Sequence, residues 1–186
     1  MNMKLKVCII GLISFSVLLI SAEFSVDKAK KMDDFLRRIR EKTKDAIYLK
    51  KMTFSERELN SYLNIFYLKR YSPEVKYLKL DLRKNNYVSG IMKVYLAGKK
   101  YEKVPSFLKD IEIEFSGKLE CKNYRVRYVF EKMEINGTHF SPEILDEAFN
   151  AAQAGFNVRK SIFDWFSLLP GLKNVVIGYK KITVYY

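Results

Sequence analysis

The chain has 186 residues, enough for one domain with a real core and too few for two ordinary ones. It carries 34 Lys and Arg against 21 Asp and Glu, a formal charge of +13, with 2 Cys and 1 His. So few cysteines exclude a disulfide framework, and a lone histidine leaves His-pair metal sites and Ser-His-Asp or Cys-His catalysis without their parts.

Residues 1–22 read as a signal peptide. Lys4 and Lys6 make a positive n-region, Val7 to Ile20 an apolar h-region, and Ser21–Ala22 a small-residue end. The apolar run is short for a membrane-spanning helix, which needs about 20 residues, and an uncleaved anchor is the alternative. Cys8 has no lipidation context, so cleavage leaves Cys121 as the one cysteine. It also leaves 32 basic residues against 21 acidic, a surplus of 11. Export, to a periplasm or to the outer face of the cytoplasmic membrane, turns such a charge away from nucleic acid. An anionic membrane surface becomes the natural partner, each nearby Lys or Arg being worth about 1 kcal/mol. Spread evenly, the same surplus only aids solubility.

Residues 23–52 read as a basic amphipathic helix. Val26, Ala29, Met32, Phe35, Leu36, Ile39, Ala46 and Ile47 follow helical spacing, weakening at Lys42–Thr43. Lys28, Lys31, Arg37 and Arg38 on its other faces, with Lys99 and Lys100 of a later loop, are candidate membrane-surface residues. A solvated helix back is the plainer account of them.

Residues 53–186 read as a single α+β domain. Ser55 with Glu58 forms a capping box and Phe54 with Leu59 its hydrophobic staple, predicting a helix from Glu56 to Lys69 that buries Leu59, Tyr62, Leu63 and Phe66. Asn60 lies on it with no evident partner. The segment Glu74–Arg83 places Leu78, Leu80 and Leu82 on one strand face, and Asn85–Asn86 makes a turn. The segment Tyr87–Leu96 places Val88, Met92, Val94 and Leu96 on one face, with a bulge or bend expected at Gly90. A basic loop follows to Pro105.

Ile111, Ile113, Phe115 and Leu119 alternate with Glu112, Glu114, Ser116, Lys118 and Glu120, the period of a strand wet on one side. Tyr124, Val126, Tyr128 and Phe130 repeat it. A two- or four-residue loop near Cys121–Lys122 sets Gly117 opposite Val126, Phe115 opposite Tyr128 and Ile113 opposite Phe130. The strand runs on through Met133 and Ile135 to a turn at Asn136–Gly137. Ser141 and Pro142 start a helix with Ile144, Leu145, Ala148, Phe149 and Ala152 as its stripe, ended by Gly155. The apolar stretch Val158–Leu169 reads as a core helix or, through Trp165 and Phe166, as a membrane-dipping lip. Lys173–Ile177 and Lys181–Tyr186 are two last short strands.

Little chemistry is present. His139 sits beside a turn and Cys121 has no second ligand, so no metal and no cofactor is implied. Glu112 and Glu114 lie on the wet strand face, diagonal to Arg127, where cross-strand pairing explains them more simply than glycosidase work. No phosphate-binding Gly loop occurs. What remains is apolar strand surface. Leu80, Leu82, Met92, Val94, Ile113, Phe115, Val126, Tyr128 and Phe130 would line a groove if the helices leave that face open. An acyl chain there gains about 0.8 kcal/mol per CH₂.

The run "FSERELNSYLN" (54–64), the hairpin "VKYLKLDLRKNNYVSGIMKVYL", the pair "IEIEFSGKLECKNYRVRYVFEKMEING", "HFSPEIL" and the terminal "LPGLKNVVIGYKKITVYY" together resemble small bacterial extracytoplasmic domains of the LmeA and YpmS kind, related to the tubular lipid-binding (TULIP-like) superfamily. The resemblance spans roughly residues 53 to 186. It implies a long antiparallel sheet curled around helix, a groove for phospholipid or another amphiphile, and no catalytic residues. The basic helix before Thr53 departs from the pattern. The expectation is therefore a curved antiparallel sheet of about six strands wrapped on helices in an exported, non-enzymatic lipid-binding protein, with roles in lipid transfer or envelope maintenance. Its rivals are an envelope interaction protein with a closed core and a basic docking helix, and a hydrolase built on a strand carboxylate pair.

Overall fold

The computed structural model describes residues 24–41, 50–96, 102, 109–144, 146–147, 161 and 163–186. The signal peptide, the stretch 42–49, Lys99 and Lys100, and most of the stripe expected after Pro142 lie outside the described residues.

The fold is α+β. Helix α1 (Val26–Glu41) is followed by strand β1 (Lys51–Ser55) and helix α2 (Glu56–Tyr62), which continues through a π-helical turn (Leu63–Tyr67) into α3 (Leu68–Tyr71). Four long strands come next: β2 (Val75–Leu82), β3 (Tyr87–Tyr95), β4 (Asp110–Lys122) and β5 (Arg125–Ile135). The short strands β6 (Thr138–His139) and β7 (Phe166–Ser167) precede β8 (Asn174–Gly178) and β9 (Lys181–Tyr185).

Strands β2 to β6 form an antiparallel meander, with β7 added beside β5, making six strands in one sheet. The expected class and sheet are therefore present, with a different membership. The two C-terminal strands do not join this sheet. They pair with β1, a strand the helical reading of residues 23–52 overlooked, in a separate sheet of order β1-β9-β8.

Pairs of left-handed residues, each begun by an asparagine, set the hairpins. Asn85 and Asn86 both have φ 60°, and Asn123 and Tyr124 have φ 51° and 59°. Two consecutive left-handed residues make the tight turn whose twist matches flanking strands. The β4–β5 turn is thus Asn123–Tyr124, two residues later than expected. The register moves with it: Gly117 faces Phe130, Phe115 faces Met133 and Ile113 faces Ile135. Because that slip of four is even up to Gly117, the apolar residues keep their face. A shift between Ser116 and Gly117 then absorbs one extra residue of β5, so that Phe130 and Met133, three apart, both serve the apolar side. Gly90 carries no such shift. It sits where a Cβ would lie 2.7 Å from the ring tip of Phe115, so its smallness makes space for that ring.

The core lies at one end of the molecule. Met32, Phe35 and Leu36 of α1, Phe54 of β1, Leu59 and Tyr62 of α2, and Val175, Ile177, Ile182 and Val184 of the small sheet meet Leu82 and Val88 beside the first hairpin turn. Phe35 makes edge contacts with Phe54 at 5.2 Å and Tyr186 at 5.1 Å. Fully burying each such side chain is worth about 1.5–3 kcal/mol. The capping box forms as read: the Ser55 N–H donates to Glu58 at 2.7 Å and the Glu58 N–H to the Ser55 hydroxyl at 3.3 Å.

Asn60 has partners after all. Its side chain accepts from the Leu80 N–H and donates to the Leu80 carbonyl, both at 2.8 Å. One turn on, Asn64 does the same to Leu78, at 2.9 and 2.6 Å, and one turn back Glu56 accepts from the Leu82 N–H at 2.6 Å. Four helical residues rise about 6 Å and two strand residues about 6.7 Å, so helix positions four apart match strand positions two apart. The helix closes the free edge of β2 with side chains in place of a neighbouring strand. The π turn begins at Leu63, within this ladder, and Asn64 also donates to the Asn60 carbonyl at 2.8 Å.

Candidate functional site

The long sheet presents one apolar face. Leu78, Leu80, Leu82, Val88, Met92, Val94, Ile111, Ile113, Phe115, Leu119, Val126, Tyr128 and Phe130 share it by register. Their burial is uneven. Leu82 is only 1 % exposed and belongs to the closed core, which corrects its assignment to a groove. Leu80, Met92, Val94, Ile113, Phe115, Val126, Tyr128 and Phe130 are all part-exposed.

Three of these expected groove residues come together in one cleft of about 380 Å³. Val126, Tyr128 and Phe130 line it with Leu119, Arg127 and Phe166. The strand alternation of β5 supplies the first three and the opposite strand supplies Leu119, which pairs with Tyr128. Phe166 arrives on β7, pairing with Val126, and remains 40 % exposed. Leu80, Met92, Val94, Ile113 and Phe115 lie on the same sheet face without lining this cleft. The helix reading of Val158–Leu169 is corrected over its described part: residues 163–164 turn, and Phe166–Ser167 form a strand against β5 rather than a core helix.

The cleft wall is held rigidly. Tyr128 packs edge-on against Phe130 at 4.6 Å and Phe115 at 5.8 Å, an arrangement that ring quadrupoles favour. Its hydroxyl donates to the Val88 carbonyl at 2.6 Å, and burial raises its pKa well above that of an ordinary tyrosine. It therefore stays neutral throughout the physiological range.

The polar side of the site centres on Arg127. Its Nε donates to Glu120 at 2.7 Å and its guanidinium lies 4.7 Å from the Trp165 ring centre. This replaces the expected diagonal contact with Glu112 and Glu114. Glu112 instead pairs with Lys93 at 2.9 Å, and Glu134 with Lys132 at 2.9 Å. Among the described residues no group of three or more His, Cys, Asp or Glu could hold a metal ion, and His139 is exposed on β6.

The candidate membrane-surface residues are scattered. Lys31 is paired with Glu58 at 2.6 Å and Arg37 with Asp34 at 3.2 Å, whereas Arg38 is exposed and Lys28 half-buried. Phe166 lines the cleft, whereas Trp165 does not and lies instead against the Arg127 guanidinium. Leu119 carried the right strand parity to be found from sequence. Arg127 did not, because its role depends on Trp165, 38 positions away in the chain. No helix among the described residues is long and apolar enough to cross a membrane. Comparison with known proteins finds no matching family model, no matching curated protein and no matching solved structure.

Proposed function

We propose that the chain is an exported lipid-binding protein of the cell envelope that holds an acyl chain against the apolar face of its long sheet, without catalysing a reaction on it. The observation that carries this reading is the cleft of about 380 Å³ lined by Leu119, Val126, Tyr128, Phe130 and Phe166. Its volume falls within the roughly 300–1,000 Å³ of ordinary ligand sites. A dozen buried methylenes would contribute about 10 kcal/mol before the losses of association. The surplus of basic residues suits work at an anionic membrane surface. The ion pairs that hold Glu112, Glu120 and Glu134 favour structural roles for the strand carboxylates.

Native mass spectrometry of the chain purified without detergent tests this directly. The expected result is a population carrying phospholipid or fatty acid, and recovery of that mass when a delipidated sample is offered lipid. Phe130→Ser should abolish recovery. A clean apo mass, with no uptake of a fluorescent fatty acid, would instead favour an interaction protein with a closed core.

A further inference from the structure

We propose that the tip of the β4–β5 hairpin docks the protein on an anionic bilayer. Tyr124 enters the lipid interface with Phe166 and Leu169 beside it, while Lys122 and Arg125 meet lipid phosphates. The inference rests on the lipid-binding reading and adds the place at which the sheet meets the membrane.

The tip stands apart from the rest of the sheet. Strand β3 begins at Tyr87, opposite Lys118. From there β4 runs on through Leu119 to Lys122, about 13 Å further. Lys122, Asn123, Tyr124 and Arg125 are all exposed, Tyr124 by 63 %. On the other edge of the ribbon, Phe166 pairs with Val126 and the Leu168 N–H donates to the Tyr124 carbonyl at 2.9 Å. Phe166 and Leu169, 40 % and 36 % exposed, therefore lie beside Tyr124 in one apolar patch.

Two features of the tip are unfavourable in the free protein and useful on a membrane. Tyr124 holds φ 59° in the second turn position, where the turns Asn85–Asn86 and Asn136–Gly137 place residues that fit with less strain. A bulky ring kept there points to a use for the ring, and aromatic side chains favour the headgroup level of a bilayer. Lys122 lies directly opposite Arg125 in the register, a destabilising like-charge pair. Neither has an acidic partner among the described residues. Of the nearby acids, Glu120 is held by Arg127, and Asp164 accepts from the Ser161 N–H at 2.9 Å. A layer of lipid phosphates gives each of the two cations its own partner. Lys122 and Arg125 share the polar face of the ribbon and Phe166 the apolar one. Both faces end at the same turn, so a bilayer met tip first reaches both. It then also lies next to Val126 and Phe166, two walls of the apolar cleft.

Vesicle flotation tests the inference, using phosphatidylcholine alone and an equal mixture with phosphatidylglycerol. Residues 1–22 are common to every variant, so differences among variants belong to the substitutions. Lys122→Gln/Arg125→Gln should bind the anionic vesicles about 30-fold more weakly than the wild type, with the difference shrinking as salt rises. Lys69→Gln/Arg70→Gln removes the same charge from exposed positions on α3, which leads into β2 at the other end of the sheet. It should change binding little. Tyr124→Gly should bind both kinds of vesicle several-fold more weakly yet melt no lower, since glycine takes that φ without strain. Equal losses in the two double variants would reduce the effect to net charge and overturn the tip, as would undiminished binding by Tyr124→Gly. Retention on dextran sulfate that Tyr124→Gly leaves intact, with no preference for anionic vesicles, would mark a polyanion site and overturn the bilayer. Absence of vesicle docking beside intact uptake of a fluorescent fatty acid overturns the docking tip alone. Absence of both defeats the lipid-binding reading itself.

Discussion

At Gly117 the backbone leaves no room for a side chain. A Cβ there would lie 2.0 Å from the Val129 carbonyl oxygen, across the register shift of the β4–β5 pair. Gly117→Ala is expected to destabilise by more than the roughly 1–3 kcal/mol of ordinary overpacking, because the obstacle is main chain and not a mobile tip. Urea unfolding measures it, and a neutral result would show that the shift relaxes freely. Asp81 makes a second prediction at this scale. The hydrogen bond from Lys180, then that from Arg83, holds its carboxyl below the usual carboxylate pKa. Its folded-state value is depressed, so its contribution to stability is present above the ordinary value near 3.8 and is lost as pH falls through the folded one. Asp81→Asn should therefore be less stable than the wild type at pH 7, with the gap narrowing in acid. Denaturation midpoints at several pH values check the sign.

Among the elements, α2 has the most to test. Replacing Asn60 with Ala leaves the Leu80 N–H and carbonyl without partners, at about 1–3 kcal/mol for each group. Asn60→Asp should be damaging too, because a carboxylate accepts from the N–H but cannot donate to the carbonyl. Thermal unfolding of both variants separates a loss of the ladder from mere loss of bulk. The start of this helix was legible because Ser55, Glu58, Phe54 and Leu59 signal locally. The role of Asn60 was not, because its partner is a main-chain group 20 residues away whose identity no side chain reports. The strands tell the same story. Alternation gave Ile111 to Leu119 their faces, yet placed the turn two residues early. Parity survives an even slip, and nothing in the residue types says that Tyr124 would accept φ 59°. The small sheet escaped notice because β1 is five residues long and its pairing with β9 joins chain positions some 130 apart, as the hydroxyl contact of Thr53 with Thr183 illustrates.

For the whole molecule, the division between a closed end and an open cleft governs what can be changed. Phe166→Ala should reduce lipid uptake with little loss of stability, since Phe166 is already 40 % exposed. Phe54→Ala should unfold the protein outright, its ring being fully buried between α1 and the small sheet. A fluorescent fatty-acid titration beside a melting curve distinguishes the two, and equal effects of both substitutions on both measurements would deny the division. The apolar face was readable in the sequence. How it is shared between core and cleft was not, because that depends on where α1, α2 and β7 come to rest.

The ladder on β2 bears on how the protein can be stored at high concentration. An unguarded strand edge invites a second copy to add its own backbone, and repeated addition yields polymers. Here the amides of one helix already occupy those slots. Removing both, in Asn60→Ala/Asn64→Ala, should convert a well-behaved solution into one that grows concentration-dependent fibrils, visible by light scattering before any change in secondary structure is seen.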